Sequence, residues 1–323
     1  MQRAGCIFRV VMTKRSNRNT VVRKGTHLRD LGISTKTRTT YKKMLSQFFT
    51  FLRYMDWPNP HNDVTLDLYA SEFINHLFQE GEPHGYAGNF VSALVRFFPS
   101  CRRSLFTTRM YYKNWERELS RNRALPISLA MLQGIVGLAL VRKRIDLAAT
   151  LLVAFAGLLR TGEFITLVKR QLVFSPGMLS VVVSLPRTKT TGWRGQPESV
   201  IINDPCVVNA LKLATDHIGP DDRIYAKSPA AFGKELKWLC ATFGFQHSRL
   251  TPYCLRRGGA TWCFMTTGSL DATTARGRWQ HSATARLYID GCTAEATCWT
   301  LSERGELLRS KCAAFARNFL ATR

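Results

Sequence analysis

Acidic side chains are scarce in this sequence. Its 323 residues hold 22 Asp and Glu against 46 Lys and Arg, a net charge of +24. So large an excess of one sign repels itself unless a polyanion neutralises part of it. Nucleic acid is the partner such a charge implies, although ribosomal, RNA-binding and membrane-surface proteins share the property. Paired cysteines are also lacking. The nine cysteines lie apart, none forms a CxxC, and no Cys/His cluster has zinc spacing. An odd count in a chain of this size fits a reducing compartment rather than a disulfide framework. No stretch reads as a P-loop, GxGxxG or HExxH, which leaves ATP, dinucleotide and zinc-protease chemistry without support. No cofactor and no metal is expected. Long apolar runs are missing too. The longest uncharged run, 124–141, contains Pro126, Gln133, Gly134 and Gly137. It falls just short of the ~20 apolar residues that span a bilayer, and it reads as a buried helix. The N-terminus is basic but lacks the continuous apolar core of a signal peptide. Together these absences suggest an intracellular protein, nuclear if its host is eukaryotic, with no membrane partner.

What is present is ordinary folded protein, 45% hydrophobic and 21% charged, and long enough for two domains. Residues 1–43 carry twelve Lys or Arg and one acid, Asp30. The part up to residue 36 reads as a basic arm, either nucleic-acid-binding or simply solvated. From Thr37 the pattern turns helical, with Tyr41, Met44, Leu45, Phe48, Phe49, Phe51 and Leu52 on one broad face. Trp57-Pro58-Asn59-Pro60 ends that helix. Further helices are predicted over Leu66–Leu77, Gly88–Phe98 and Thr108–Leu119. A basic hinge at 121–123 then closes a helical domain over 37–122. Lys42 and Lys43 are candidates to face phosphate, or plain solvated lysines.

The second domain, 123–323, is expected to be mixed. Pro126 suits the first turn of a helix, and a second apolar helix runs from about Asp146 to Leu158. Arg160 follows, in AGLLRTGEF. An arginine just after a buried helix either caps its carbonyls or aims at an anion. Met178–Leu185 is rich in β-branched residues and reads as a strand, with Ser199–Ile202 as its return. The turn between them holds Lys189, a position that usually means solubility. Helices are predicted over Pro205–Ile218 and Ser228–Gly244, with no chemistry apparent in either. The whole reads as mainly α with a small antiparallel β-sheet.

Thr251–Asp290 concentrates the chemistry. It holds Tyr253, Arg256, Arg257, Arg278, Trp279, His281, Arg286 and Tyr288. A tyrosine hydroxyl, with a pKa of roughly 10, is a poor nucleophile at neutral pH. It becomes useful where cations hold an electrophile before it and stabilise the charge that builds up. An arginine fork matches the oxygens of a phosphate. Tyr253-x-x-Arg256, then Trp279, then Tyr288 nine residues later, resembles the C-terminal signature of the tyrosine recombinases, the phage-integrase family. The run LRRGGAT followed by GRW is most similar to recombinases of eukaryotic mobile elements. AGLLRTGEF resembles the family's first arginine box, and Tyr253 departs from it, since the family usually has His there.

The resemblance implies a helical core-binding domain ahead of a catalytic domain. It implies an enzyme that breaks and rejoins double-stranded DNA through a 3′-phosphotyrosyl link. Tyr288 would be the nucleophile, with Arg160 and Arg256 on the phosphate and Glu163 bracing the site. Lys189 would protonate the leaving oxygen, and Trp279 and Tyr253 would complete the site. Arg257, Arg278 and Arg286 would add phosphate contacts. His281 either supplies the missing imidazole or is a surface residue. Two other outcomes share these residues: a topoisomerase of type IB, and a recombinase-derived protein that binds DNA without cutting. Self-association on DNA is expected. Leu308, Cys312, Phe315 and Phe319 place an apolar stripe on a helix over 301–320, to dock on a neighbouring protomer or on its own domain.

Overall fold

Helix α1, Thr35–Tyr54, starts where the Ser34 side chain accepts the Thr37 N–H at 3.1 Å. A helix leaves its first amides unpaired, and a side-chain oxygen at this point satisfies one of them. Asn62 does the same for α2, Asp63–Gln79, taking the Thr65 N–H at 2.8 Å. Helix α3, His84–Phe97, a 3₁₀ turn at Pro99–Arg103 and helix α4, Phe106–Glu118, complete the unit. In the computed structural model the described residues are 32–119, 123–186 and 197–321. They fall into two compact units, Met1–Ser120 and Arg121–Arg323. Most of the basic arm, the residues 121 and 122 of the hinge, and the turn with Lys189 lie outside the described residues. Helices lie within a few residues of each predicted span in the first unit. Lys42 and Lys43 are exposed on α1.

The first unit's core is aromatic. The rings of Phe48, Phe73 and Phe90 meet with centroids 4.8–5.5 Å apart, in the tilted and edge-on arrangements that such rings prefer. One buried acid stands beside this core. Helix α4 has no side-chain cap at Leu105, and Asp67 of α2 supplies one from across the fold. It accepts the backbone N–H groups of Thr107 and Thr108 at 2.8 and 2.9 Å and the Thr108 hydroxyl at 2.7 Å. Burial pushes this carboxyl up, but the bonds from Thr108 and Thr107 outweigh it and hold the group below its ordinary value. The ionised form is therefore favoured by folding. Its contribution is present above the unfolded pKa, ~3.9, and is lost as pH falls through the depressed folded value. Asp67→Ala is expected to cost about 2 kcal/mol, read as lost hydrogen-exchange protection of the α4 amides in the full chain. Asp67→Asn should remove the acid dependence of that protection.

The second unit begins with α5, Leu129–Val141, and α6, Ile145–Ala156, both almost wholly buried. Pro126 does not open α5. Ser128 does, accepting the Met131 N–H at 3.1 Å, and Pro126 lies ahead of the helix. Among the described residues no helix is long and apolar enough to cross a membrane. Short helix α7, Thr161–Ile165, leads to an antiparallel sheet in the order β1 (Leu172–Phe174), β2 (Val181–Leu185), β3 (Glu198–Ile202). Leu172 pairs with Val183, and Val181 with Ile202. The strand predicted from Met178 starts three residues later, because Pro176-Gly177-Met178 makes a tight 3₁₀ turn with positive φ at Gly177 and Met178. Helices α8, Pro205–Thr215, and α9, Pro229–Thr242, follow, then α10, Tyr253–Thr267, α11, Leu270–Gly277, α12, Ser282–Arg286, α13, Gly291–Trp299, and α14, Glu303–Ala321.

Helix α14 packs along α5 and α8 of its own unit. Asn209 donates to the Leu320 carbonyl at 2.7 Å, and Arg309 to that of Ala130 at 2.8 Å. Its buried line is Gly305, Arg309, Cys312, Ala313, Ala316 and Leu320. The predicted stripe is only partly right: Cys312 is buried, whereas Leu308 and Phe315 are 37% and 41% exposed. The reason is size. At Gly137 of α5 a Cβ would stand 1.8 Å from the Cys312 carbonyl oxygen, so the facing helix must present small residues there.

Candidate active site

Tyr253 and Arg256 lie three residues apart in the first turn of α10, which puts them on one side of it. The two glycines that follow set how deep the helix sits. A Cβ at Gly258 would lie 2.1 Å from the Ile127 carbonyl oxygen, and one at Gly259 would lie 2.2 Å from that of Phe155. With no such atoms in the way, α10 presses against α6 and Arg256 is 1% exposed. Its guanidinium donates to the Gly277 carbonyl at 2.7 Å and to that of Leu158. Leu158 has φ of 48°, the left-handed region that a leucine seldom enters. The Arg256 Nε has no partner. Burial first, and then the charges of Arg160 and Arg278, pull Arg256 down to about 10, so it stays protonated at neutral pH.

Trp279 covers this cation. The Arg256 Cζ lies 4.6 Å from the Trp279 ring centroid and 5.6 Å from that of Tyr288, within the range of a cation–π contact. Gly277 makes room for the indole, since a Cβ there would lie 1.9 Å from it. Tyr288, at the end of α12 and half-buried, packs against Trp279 with centroids 4.6 Å apart. Its backbone is pinned by Thr261, which donates to the Tyr288 carbonyl at 3.2 Å and accepts the Asp290 N–H at 3.1 Å. The hydroxyls of Tyr253 and Tyr288 are hydrogen-bonded to each other. Burial, then this bond, push the Tyr253 phenol well up.

Arg160 does not cap the carbonyls of α6. It begins α7, where Glu163 accepts both its backbone N–H at 2.8 Å and its guanidinium at 2.7 Å, so the carboxylate satisfies an amide at the helix start and holds the side chain as well. Its side chain remains 26% exposed. Glu163 Oε2, which takes the Arg160 backbone N–H, also accepts Arg278 at 2.6 Å, and Arg278 donates further to Glu198 of β3 at 3.1 Å and to the Gly157 carbonyl at 3.2 Å.

Arg278 is thus an internal strut between α7 and the sheet. It is 8% exposed, and the phosphate contact expected of it is not what its geometry provides. Arg257 departs in the same way: it is buried, bonded to the Ala124 carbonyl and 3.6 Å from Asp290. Arg286 is exposed on α12. His281 sits exposed at the start of that helix without capping it. The structure brings together Arg160, Glu163, Tyr253, Arg256, Trp279 and Tyr288. It adds Glu198, Leu158 and Thr261, which carry no local signal in the sequence. Chemically the cluster offers a cationic seat and a phenol beside it. Among the described residues no group of His, Cys, Asp or Glu is placed to hold a metal.

The sequence matches no protein-family model and no curated protein. Solved structures do resemble it. The Tn1549 transposon integrase in complex with transposon right-end DNA is 12% identical, over 82% of this chain and 94% of that one, with a TM-score of 0.56. A lambda integrase dimer bound to a COC′ core site is 16% identical over 82% and 74%, at 0.55. The XerH site-specific recombinase on a palindromic difH substrate is 14% identical over 79% and 75%, at 0.52. Likeness at such identity is likeness of fold, and the fold of this chain is that of the tyrosine recombinases.

Proposed function

We propose that the protein is a DNA strand-transfer enzyme, an integrase or site-specific recombinase that cuts and rejoins through Tyr288. The observation that carries this is the placement of the Tyr288 ring against Arg256 and Trp279 of the same chain. A phenol next to a buried, charged guanidinium is built for attack on an anion. In this reading Arg256 and the partly exposed Arg160 hold the non-bridging oxygens of one phosphate. Tyr288 forms the bond to phosphorus, the bond to the 5′ oxygen breaks, and the phosphotyrosyl link conserves the energy for rejoining. Glu163 fixes Arg160, and Lys189 is the proposed acid for the leaving oxygen.

Double-stranded DNA as partner is supported by the charge of +24 and by the DNA complexes named for the similar folds. In this reading residues 37–122 form the core-binding domain and 123–323 the catalytic one, with Lys42, Lys43 and Arg286 on the backbone. Self-association on DNA is part of the proposal, by a surface other than the buried face of α14.

The test is adduct capture. The full chain is incubated with a pool of duplexes of randomised core carrying a nick, and denatured protein–DNA adducts are recovered and sequenced. Tyr288→Phe is expected to abolish the adduct and leave the affinity for the selected duplex unchanged. An adduct that survives in Tyr288→Phe would show that another residue is the nucleophile. Binding without any adduct in the wild type would make the protein a DNA binder that no longer cuts.

A further inference from the structure

Tyr253 stands where the resembling family usually has a histidine, and a phenol cannot serve as an imidazole does. Its surroundings give it a different task. Its hydroxyl reaches the hydroxyl of Tyr288, and the two rings lie 5.7 Å apart at 51°. Tyr288 is thus held on one side by the Trp279 ring, behind by Arg256 and at its oxygen by Tyr253. One turn of α10 carries both Arg256 and Tyr253, so the seat for the phosphate and the holder of the nucleophile move as one body.

We propose that Tyr253 is a positioning residue for the nucleophile, donating its hydroxyl hydrogen to the Tyr288 oxygen and keeping that oxygen aimed at the phosphate beside Arg256. The role rests on the strand-transfer reading above. The direction of the bond follows from chemistry. While both hydroxyls are protonated either can donate; once Tyr288 gives up its proton its oxygen can only accept, and Tyr253 is then the donor. During cleavage Tyr288 loses its proton to solvent and its oxygen bonds to phosphorus. The bond from phosphorus to the 5′ oxygen breaks, and that oxygen takes its proton from the acid of the strand-transfer reading, not from Tyr253. Tyr253 keeps its own proton throughout. In rejoining the same donor steadies the departing phenolate. Its action is therefore on the nucleophile in both directions and never on the 5′ oxygen.

The experiment pairs a kinetic and a spectroscopic reading of the full-length protein. The substrates are the duplex selected above and its analogue with sulfur in place of the bridging 5′ oxygen, which departs without needing a proton. Tyr253→Phe should bind the duplex as wild type does. Its rate of adduct formation should fall on the order of 10- to 100-fold, the worth of one hydrogen bond to a charged oxygen. The fall should be the same with the sulfur analogue, and Tyr253→His, which restores a donor, should recover most of it. In protein labelled with ¹³C at tyrosine Cζ, the Tyr288 line, identified by its loss in Tyr288→Phe, should move in Tyr253→Phe. A Tyr288 line that does not move overturns the pairing whether or not the protein cuts. A wild-type rate in Tyr253→Phe, or rescue of that variant by the sulfur analogue, overturns the role while leaving the strand-transfer reading intact. No adduct from the wild type overturns that reading, and the role with it.

Discussion

Replacing Arg256 with alanine should slow adduct formation at Tyr288 by at least ~10²–10³-fold, the loss that follows removal of one donor to a developing oxyanion. The fork is seated between the carbonyls of Leu158 and Gly277 and under Trp279. In the proposed reaction it would therefore meet a phosphate without first having to be arranged. Arg256→Lys should recover little, because a point charge on a flexible stem cannot bridge the two carbonyls. Truncation also leaves those carbonyls without a donor, so Arg256→Ala is expected to lower the melting temperature as well as the rate. Arg160→Ala separates the two effects. Its side chain is partly open to solvent and held by Glu163 alone among the bonds described, so the rate should fall comparably with a smaller loss of stability. Single-turnover adduct formation at saturating protein, beside thermal unfolding of each variant, makes the check. A near-normal rate in Arg160→Ala would sink the shared-phosphate arrangement.

The second large effect is on stability. Gly137→Leu should destabilise the second unit by about 3 kcal/mol or more. The atom in the way is the Cys312 carbonyl oxygen, 1.8 Å from the added Cβ. It belongs to helix backbone and cannot swing aside as a side chain would. The two helices must part, exposing Ile135, Ala313 and Ala316, which are buried now. Gly162→Ala is the control, because a Cβ there meets nothing within 4 Å. It should leave the urea midpoint within the few tenths of a kcal/mol typical of surface changes. Equal midpoints for Gly137→Leu and wild type would show that α14 does not dock as described.

The sequence was most legible where the determinants are local. Helix spans in the first unit followed from apolar spacing and from Pro58, Pro60 and Pro83. Arg160 with Glu163, and Tyr253 with Arg256, were singled out because each pair falls within a short string that resembles a box of the tyrosine recombinases; that each pair opens a helix is what the structure adds. Arg278 was not legible. Its part depends on Glu163 and Glu198, which come from distant stretches of chain, and an arginine near a tyrosine looks like a phosphate contact until its partners are known. Arg257 misled for the same reason. The three residues of β1 were too few to show alternation. In α14 the stripe was read by hydropathy, whereas the packing selects by volume: Ala313, Ala316 and Gly305 face inward while Leu307, Leu308 and Phe315 do not.

The pairing of α5 with α14 also sets an order of events during synthesis. Some 160 residues separate the end of one helix from the start of the other. At 5–20 residues per second the ribosome needs on the order of ten to thirty seconds to make that stretch. Through that interval α5, apolar on nearly every face, has only part of its final cover. The second unit therefore folds as a late, long-range event, and the nascent chain exposes a sticky helix. A messenger truncated before codon 303 would yield a product that chaperones and proteases recognise by α5, while the α1–α4 unit, whose core is built from residues between Met44 and Trp115, could already be folded.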